Sequence, residues 1–447
     1  MKLPPGPQTP AILQMIEWVF HPSKLMQTCA QRYGDTFTVK VGPNLAPVVF
    51  LSDPKAIQKI FTADLKQFET GKLNKIAQPL IGEYSLMLQD GKYHQRQRRL
   101  LMPPFHGERM RRYNKIIDDI AKQVISQWPE GKPFSIRPSI GKISLELIVE
   151  CVFGLRKGPR SQHLIQLLTL MAEYTSKPLA IALVSCKPMQ RDFGSWSPWG
   201  SFIRLKQQIT KLIYDEIGER RSQFDSSRTD ILTLLMSARD EDGMPMTDVE
   251  LHDQLITFLM GGHDTTTTAL VWAFYWIHYL PEVREKLLRE LDSLGDDLEE
   301  SNIIKLRYLN AVCSETLRIN PISVLTLFRS VKSPLQLMSY QYDPGTILAG
   351  CIYLTHRRED LYPEPEKFKP ERFLERQFSF YEYLPFGGGN RRCVGDALAM
   401  FVMKRVIATV LREKQLTLVD RRPVKPVFRG PGLAPSGSMQ MVAVTKK

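Results

Sequence analysis

Phe386 to Gly395 reads FGGGNRRCVG, and the reading of this stretch decides what the rest of the chain is for. Cys393 follows three consecutive glycines and two arginines, behind a leading aromatic, Phe386. Glycines let backbone pass close to a bulky neighbour because no Cβ intervenes. Arginines beside a thiol suit an anionic group and favour the thiolate. Taken alone, the run reads first as a Gly-rich loop around an inert thiol, since lone cysteines commonly pack as small hydrophobes. Other parts of the chain have to decide between the two.

The bulk composition narrows the classes. With 447 residues, 43% hydrophobic and 24% charged, the chain is ordinary for a globular protein and long enough to bury a large core around an internal cavity. Sixty basic against 47 acidic residues give a net charge of +13, which suits nucleic acid, an anionic membrane or an acidic protein partner. The charge is scattered, without a basic block or a zinc-finger or RNA-binding signature, so no nucleic-acid partner is expected. Cys29, Cys151, Cys186, Cys313, Cys351 and Cys393 contain no C-x-x-C pair. Their spacing argues against structural zinc, an iron–sulfur cluster or a disulfide framework, and suits a reducing compartment. No run approaches the ~18–20 apolar residues of a membrane span, and no secretory signal opens the chain. A soluble, cytoplasmic chain with no stable membrane span is expected.

Along the chain, Ala11 to Tyr33 reads as one or two helices, and Thr36–Val41 with Pro47–Ser52 as a hairpin around Gly42–Pro43. Asp53–Pro54 opens a helix, and the Gly- and Pro-punctuated stretch from Phe68 to Leu88 reads as a long loop. Helical patterns then cover Asp90 to Pro103, Arg109 to Trp128, Ser139 to Val152, His163 to Thr175 and Phe202 to Arg221. The Pro-, Gly-, Ser- and Trp-rich segment from Lys177 to Gly200 reads as a connection of the kind that forms lids. With no repeat or linker, the expectation is a single domain over 1–447, mainly α with small β-sheets.

The longest element starts at a capping box, Thr247 with Glu250, and stays apolar to Leu280 before Pro281. It is about 33 residues, on the order of 50 Å, and apolar on nearly all sides, so it should be buried. Its middle, GGHDTTTT from Gly261 to Thr268, is poor helix sequence: two glycines cost about 1 kcal/mol each against alanine, and threonine hydroxyls compete for carbonyls. A carboxylate here is costly unless paired or functional. Two readings stand: a core helix with a polar kink, or a bulge that makes room for a ligand and aims Thr265 and Asp264 at it. Further on, Glu315 and Arg318 are spaced i, i+3 opposite the stripe Leu309, Val312, Cys313 and Leu317, which alone implies an exposed ion pair.

Phe386, Gly389, Arg391, Cys393 and Gly395 fit F-x-x-G-x-R-x-C-x-G, and in this the chain resembles the cytochrome P-450 superfamily. The likeness extends in order through His94 and Arg98 (a Trp or His followed by Arg), G-G-x-D-T-T at Gly261 to Thr266, E-x-x-R at Glu315 and Arg318, and P-E-R-F at Pro370 to Phe373. It implies a haem-thiolate monooxygenase of the P-450 fold, with haem b between a long kinked helix and the cysteine loop. Cys393 would be the axial ligand of the haem iron, Phe386 its shield, and His94, Arg98, Arg329 and Arg391 would neutralise the propionates. Thr265 would order water and hydrogen-bond dioxygen while Asp264 relays protons. Glu315, Arg318 and Arg372 would form a buried structural brace behind the haem. A lipophilic substrate (a fatty acid, terpenoid or steroid-like molecule, as in soluble cyanobacterial and other bacterial members) would be hydroxylated or epoxidised beside Leu73, Ile76, Leu80, Phe258, Gly261, Val324 and Leu325. Lys66, Lys72 or Lys75 would meet a carboxylate only if they are not simply solvated. The turn PGLAPSGSM from Pro431 would dip into the same pocket. The opening KLPPGP resembles the segment after the membrane anchor of microsomal members; a soluble monomer remains the expectation. Without a fused reductase, electrons would pass from NAD(P)H through a ferredoxin or flavodoxin-type donor docked near Arg391, Arg392, Lys404 and Arg405. A peroxygenase or isomerase, a haem sensor, and a metal-free scaffold remain the alternatives.

Overall fold

A computed structural model of the chain describes residues 3–63, 66–105, 109–176, 190–295, 303, 305–429 and 432–445. Helices dominate. Those that build the site run Pro54–Thr62, Gly91–Leu101, Ile136–Phe153, Asp248–Tyr279, Arg307–Ile319 and Asp396–Glu413. Beside them a five-stranded sheet has the order β1 (Thr36–Lys40), β2 (Pro47–Leu51), β8 (Ile347–Gly350), β5 (Arg329–Val331), β3 (Phe68–Glu69). The hairpin β1–β2 is antiparallel and in the expected place, and Phe37 and Val39 alternate inward from it. β2 pairs with β8 in parallel, whereas β8–β5 and β5–β3 are antiparallel. Smaller sheets join β4 (Pro133–Ser135), β12 (Gln440–Thr445) and β9 (Lys414–Leu418), the hairpin β6–β7 (Leu335–Leu337, Tyr340–Tyr342), and β10–β11 (Pro426–Arg429, Gly432–Pro435).

The central helix, Asp248–Tyr279, spans 32 residues. Its capping box forms: Glu250 N–H donates to the Thr247 hydroxyl at 3.2 Å and Thr247 N–H to the Glu250 carboxylate at 2.7 Å. Both halves are buried, but from Thr257 to Thr266 every residue except Leu259 is at least partly accessible. At Gly261 an added Cβ would meet nothing within 4 Å. A helix covered at both ends and open in its middle borders an internal space. The helix stays α-helical across Gly261–Thr268, which corrects the expected bulge: the room comes from a missing side chain rather than from a break.

Two loop expectations also change. Phe68 to Leu88 contains β3, 3₁₀ turns at Gly71–Ala77 and Leu86–Leu88, and the short helix Gln78–Ile81. Its far end is tied to the central helix, since Tyr84 N–H donates to Asp253 at 2.8 Å and Leu86 N–H to Gln254 at 3.1 Å. Of the segment from Lys177 to Gly200, residues 177–189, and with them Cys186, lie outside the described residues; the next helix opens earlier than the pattern implied, at Pro198 with Ser197 as its cap.

Candidate functional site

The cysteine loop is held by backbone hydrogen bonds of its own and by close contact with the helix beneath it. Cys393 N–H donates to the Phe386 carbonyl at 3.0 Å, closing a turn that feeds the helix Asp396–Glu413. At Gly388 a Cβ would lie 2.1 Å from the Phe61 ring, and at Gly389, which has φ +65°, 2.7 Å from the Phe61 carbonyl. The loop therefore lies flat on the last turn of Pro54–Thr62, and only glycine fits at either position.

Cys29, Cys151, Cys313 and Cys351 are buried, and burial pushes the thiols of Cys29, Cys313 and Cys351 up to about 11, 12 and 12. Cys393 alone among the described cysteines is exposed. Protein nevertheless surrounds it closely enough that burial raises its pKa, against the Gly395 N–H and the cations Arg98 and Arg392, which pull it down. Exposure combined with dense surroundings means that the sulfur faces an internal space, not bulk water. The arginines do pull toward the thiolate as expected, but burial outweighs them. A bound metal cation would draw off the proton.

Next to the sulfur lies a knot of positive charge. Arg98 donates to the Arg392 carbonyl at 2.7 Å. Arg391 donates to the Leu86 carbonyl at 3.3 Å, the Gln89 carbonyl at 2.6 Å and Asp90 Oδ1 at 2.5 Å, while its buried Nε–H has no partner among the described residues. Arg329, on β5, is 2% exposed and among the described residues reaches only Thr326 Oγ1 (3.3 Å) and the carbonyls of Leu327 (3.1 Å) and Gly388 (3.4 Å), with its guanidinium 5.0 Å from the Phe61 ring centroid. Burial lowers both Arg329 and Arg391 to about 10; Arg391 pushes Arg329 further down, and Arg98 does the same to Arg391, against the pull of Asp90. His94 is buried, and that burial, then Arg391 and Arg98, depress it to about 3, so its imidazole is neutral at pH 7. A crevice of about 20 Å³ is lined by Asp90, Arg329, Asn390 and Arg391. Among the described residues, Asp90 is the one carboxylate paired with any of Arg98, Arg329 and Arg391. Such a cluster is built for an anion.

Across the space, Thr265 Oγ1 donates to the Gly261 carbonyl at 2.5 Å, which leaves its lone pairs available. Asp264 does not point freely inward: Arg137, at the start of Ile136–Phe153, holds its Oδ1 at 2.7 Å and also reaches Thr268 at 3.2 Å. The expected substrate residues fall into two groups. Leu73, Val324 and Leu325 pack in one cluster with Leu433 of the C-terminal turn, whose Pro431 lies outside the described residues. Leu80 and Phe258 border the main core, Phe258 edge-on to Phe105 at 5.1 Å. Ile76 is 46% exposed and joins neither.

Comparison with known proteins settles the family. The profile described as Cytochrome P450 matches residues 4–441. The chain belongs to the cytochrome P450 family. A Mycobacterium tuberculosis protein named "Putative cytochrome P450 135B1" is 35% identical over 435 residues, covering 96% of this chain and 89% of its own, and another, "Putative cytochrome P450 138", is 31% identical over 444 residues, covering 99% and 96%. A solved structure titled "Retinoic acid bound cyanobacterial CYP120A1" superposes with a TM-score of 0.86 over 100% of both chains at 23% identity, a likeness of fold. The protein is thus a P450 monooxygenase, of a family that binds haem b and receives substrate, dioxygen and electrons from a redox partner. The residues present fit that group: an accessible thiol in an enclosed space, glycine against open volume, and a buried Arg391 Nε–H awaiting an acceptor.

In this P450 the Glu315, Arg318 and Arg372 side chains do meet. Glu315 and Arg318 are both 0% exposed and joined by two bonds, 2.6 and 2.8 Å, and Arg372 reaches Glu315 at 3.2 Å. Arg318 also donates to the His356 carbonyl at 2.7 Å, and Lys369 N–H to Glu315 at 2.8 Å. The exposed pair implied by amphipathicity is corrected: Arg307–Ile319 is buried on every side from Ala311 onward, so no face is left for water. His356 extends the brace. Its Nε2 accepts the Leu384 N–H at 2.9 Å, so Nδ1 carries the proton and donates to the Arg318 carbonyl at 3.2 Å.

The expected docking patch fails in most of its parts. Arg391, Lys404 and Arg405 are turned inward, Arg405 onto Asp118, and Arg392 is half-buried against Asp396 at 2.6 Å. Among the described residues, no helix is long and apolar enough to cross a membrane. Sequence reasoning missed Phe61, Asp90, Arg137 and His356. An aspartate ahead of a helix and an arginine at the head of an apolar one were the available signals; neither says what it will touch.

Proposed function

We propose that residues 1–447 form one haem domain that hydroxylates or epoxidises a lipophilic substrate, with Cys393 as the residue that would bind the haem iron. The observation that carries the reading is Cys393 itself: an accessible thiol inside the protein, beside Arg98, on a loop pressed against Phe61. Phe386, partly buried on the main core, would shield the sulfur, and His94, Arg98, Arg329 and Arg391 would hold the propionates. Bound there, haem supplies dioxygen activation and oxidation of a C–H bond. The protein's part is proton control. Thr265, whose own proton is given to Gly261, accepts a hydrogen bond from a water and so would hold that water in place. Asp264 can carry a proton inward only when its contact with Arg137 opens, because an ion-paired carboxylate carries none. Gating of this kind admits protons without flooding the site.

A lipophilic substrate is supported by the apolar lining at Leu73, Leu80, Phe258, Val324 and Leu325, and by the retinoic acid bound to the cyanobacterial structure. Fatty acids, terpenoids and steroid-like molecules share that character. Lys72 is exposed and 3.9 Å from Glu69, and Lys75 is also exposed, so solvation accounts for both. The electron donor is an acidic ferredoxin or flavodoxin-type protein, docking around Arg392 and the exposed Lys92 and Arg99 of the adjoining helix. The deciding experiment is the carbon monoxide difference spectrum of the reduced protein, with Cys393→Ser as control. A thiolate-type Soret band is expected in the wild type only; its persistence in the variant would refute the ligand assignment.

A further inference from the structure

We infer that Asp90 is a positioning residue that couples the substrate loop to the arginine holding the cofactor. Asp90 occupies the position before Gly91–Leu101 with an extended backbone (φ −131°, ψ 169°), where an aspartate ordinarily accepts an N–H from its own helix. It makes no such bond. Instead Oδ1 accepts the Thr70 N–H at 3.0 Å and the Arg391 Nη2–H at 2.5 Å, and Oδ2 accepts the Gly71 N–H at 2.8 Å. The loop is pressed onto the acid: at Gly71 a Cβ would lie 2.2 Å from the Leu88 carbonyl and 3.0 Å from Asp90 Oδ2. Asn74 extends the grip by donating to the Thr70 carbonyl at 2.7 Å.

One carboxylate thus joins three elements: the start of the turn that carries Leu73 and Ile76, the helix that carries His94 and Arg98, and the loop that carries Arg391 and Cys393. It pins Arg391 by Nη2, while the buried Nε–H has no partner among the described residues. A substrate that shifts the Gly71–Ala77 turn must pull on the same acid, and so on the orientation of Arg391 and the charge around the cofactor. The inference rests on the reading that Arg391 meets a haem propionate.

Asp90→Asn keeps the shape but removes the charge and weakens all three acceptor bonds. Hydrogen exchange at the Thr70 and Gly71 amides is expected to quicken about fivefold or more, the change that loss of one ordinary hydrogen bond produces. The midpoint potential of the loaded protein is expected to move positive, because removing a negative charge favours the reduced state. The substrate-induced shift in that potential is expected to shrink. Asp90→Glu, which restores the charge on a longer arm, should recover the potential of the substrate-free protein but not the slow exchange. Faster exchange with an unchanged potential would reduce Asp90 to a loop fastening and overturn the coupling. Unchanged exchange would overturn the inference altogether. If the wild type itself holds no haem, the cofactor reading fails instead, and the exchange at Thr70 and Gly71 still reports whether Asp90 holds the loop.

Discussion

Neutralising Glu315 without changing its shape would leave Arg318 buried beside an amide. Removing one partner of a fully buried pair costs about 3–5 kcal/mol, because the remaining charge has neither water nor counter-ion. Glu315→Gln is therefore expected to lower the unfolding free energy measured in urea by that order and to lose haem; a variant unfolding within about 1 kcal/mol of wild type, the range of surface pairs, would show that the brace is not what it looks like. At Thr265 the expectation concerns chemistry instead. Thr265→Ala should keep consuming reductant while releasing more peroxide and less product, measured as product formed per NAD(P)H. Unchanged coupling would remove the hydroxyl from proton delivery.

At the scale of elements, much was legible in residue spacing. The capping box at Thr247 fixed the start of the central helix, and the hairpin around Gly42–Pro43 stands where alternation put it. Glu315 was misjudged from pattern alone because amphipathicity assumes that some face meets water, and Arg307–Ile319 has hardly any. The pairing of Asp264 was not legible, because its partner, Arg137, comes from a helix 127 residues earlier in the chain. Contacts of that span carry no local signal. The Gly388–Phe61 contact is of the same kind and gives a test. Gly388→Ala drives a methyl into the Phe61 ring and is expected to prevent haem incorporation, read as absorbance per protein. Pairing it with Phe61→Ala should restore part of the incorporation. Normal loading of the single variant would mean that the ring yields.

For the molecule as a whole, two responses to solution conditions follow. The net charge of +13, with cations exposed along Gly91–Leu101, favours an acidic donor, so reduction should slow steeply as salt rises. A salt-independent rate would exclude steering by charge. Acid should act through buried imidazoles. His278 is held neutral by burial, its pKa lowered to about 4, whereas the unfolded chain takes up that proton near 6.5. The unfolded state thus binds more protons between these values, and stability falls as pH drops through that window, by on the order of 3 kcal/mol at pH 4 for this residue. Urea unfolding at pH 7 and pH 5 of wild type against His278→Gln measures it; an equal loss in both would assign the sensitivity elsewhere.

The walls of the site also dictate when it can exist. Arg98 meets the Arg392 carbonyl across 294 residues of chain, and Arg391 meets the Leu86 carbonyl across 305. Loops of that length close late, after local helices and hairpins have formed. The cofactor's berth is therefore expected to be among the last parts of the molecule to assemble. During synthesis it cannot form until the cysteine loop has been made, so haem capture must follow the folding of the helices that precede that loop.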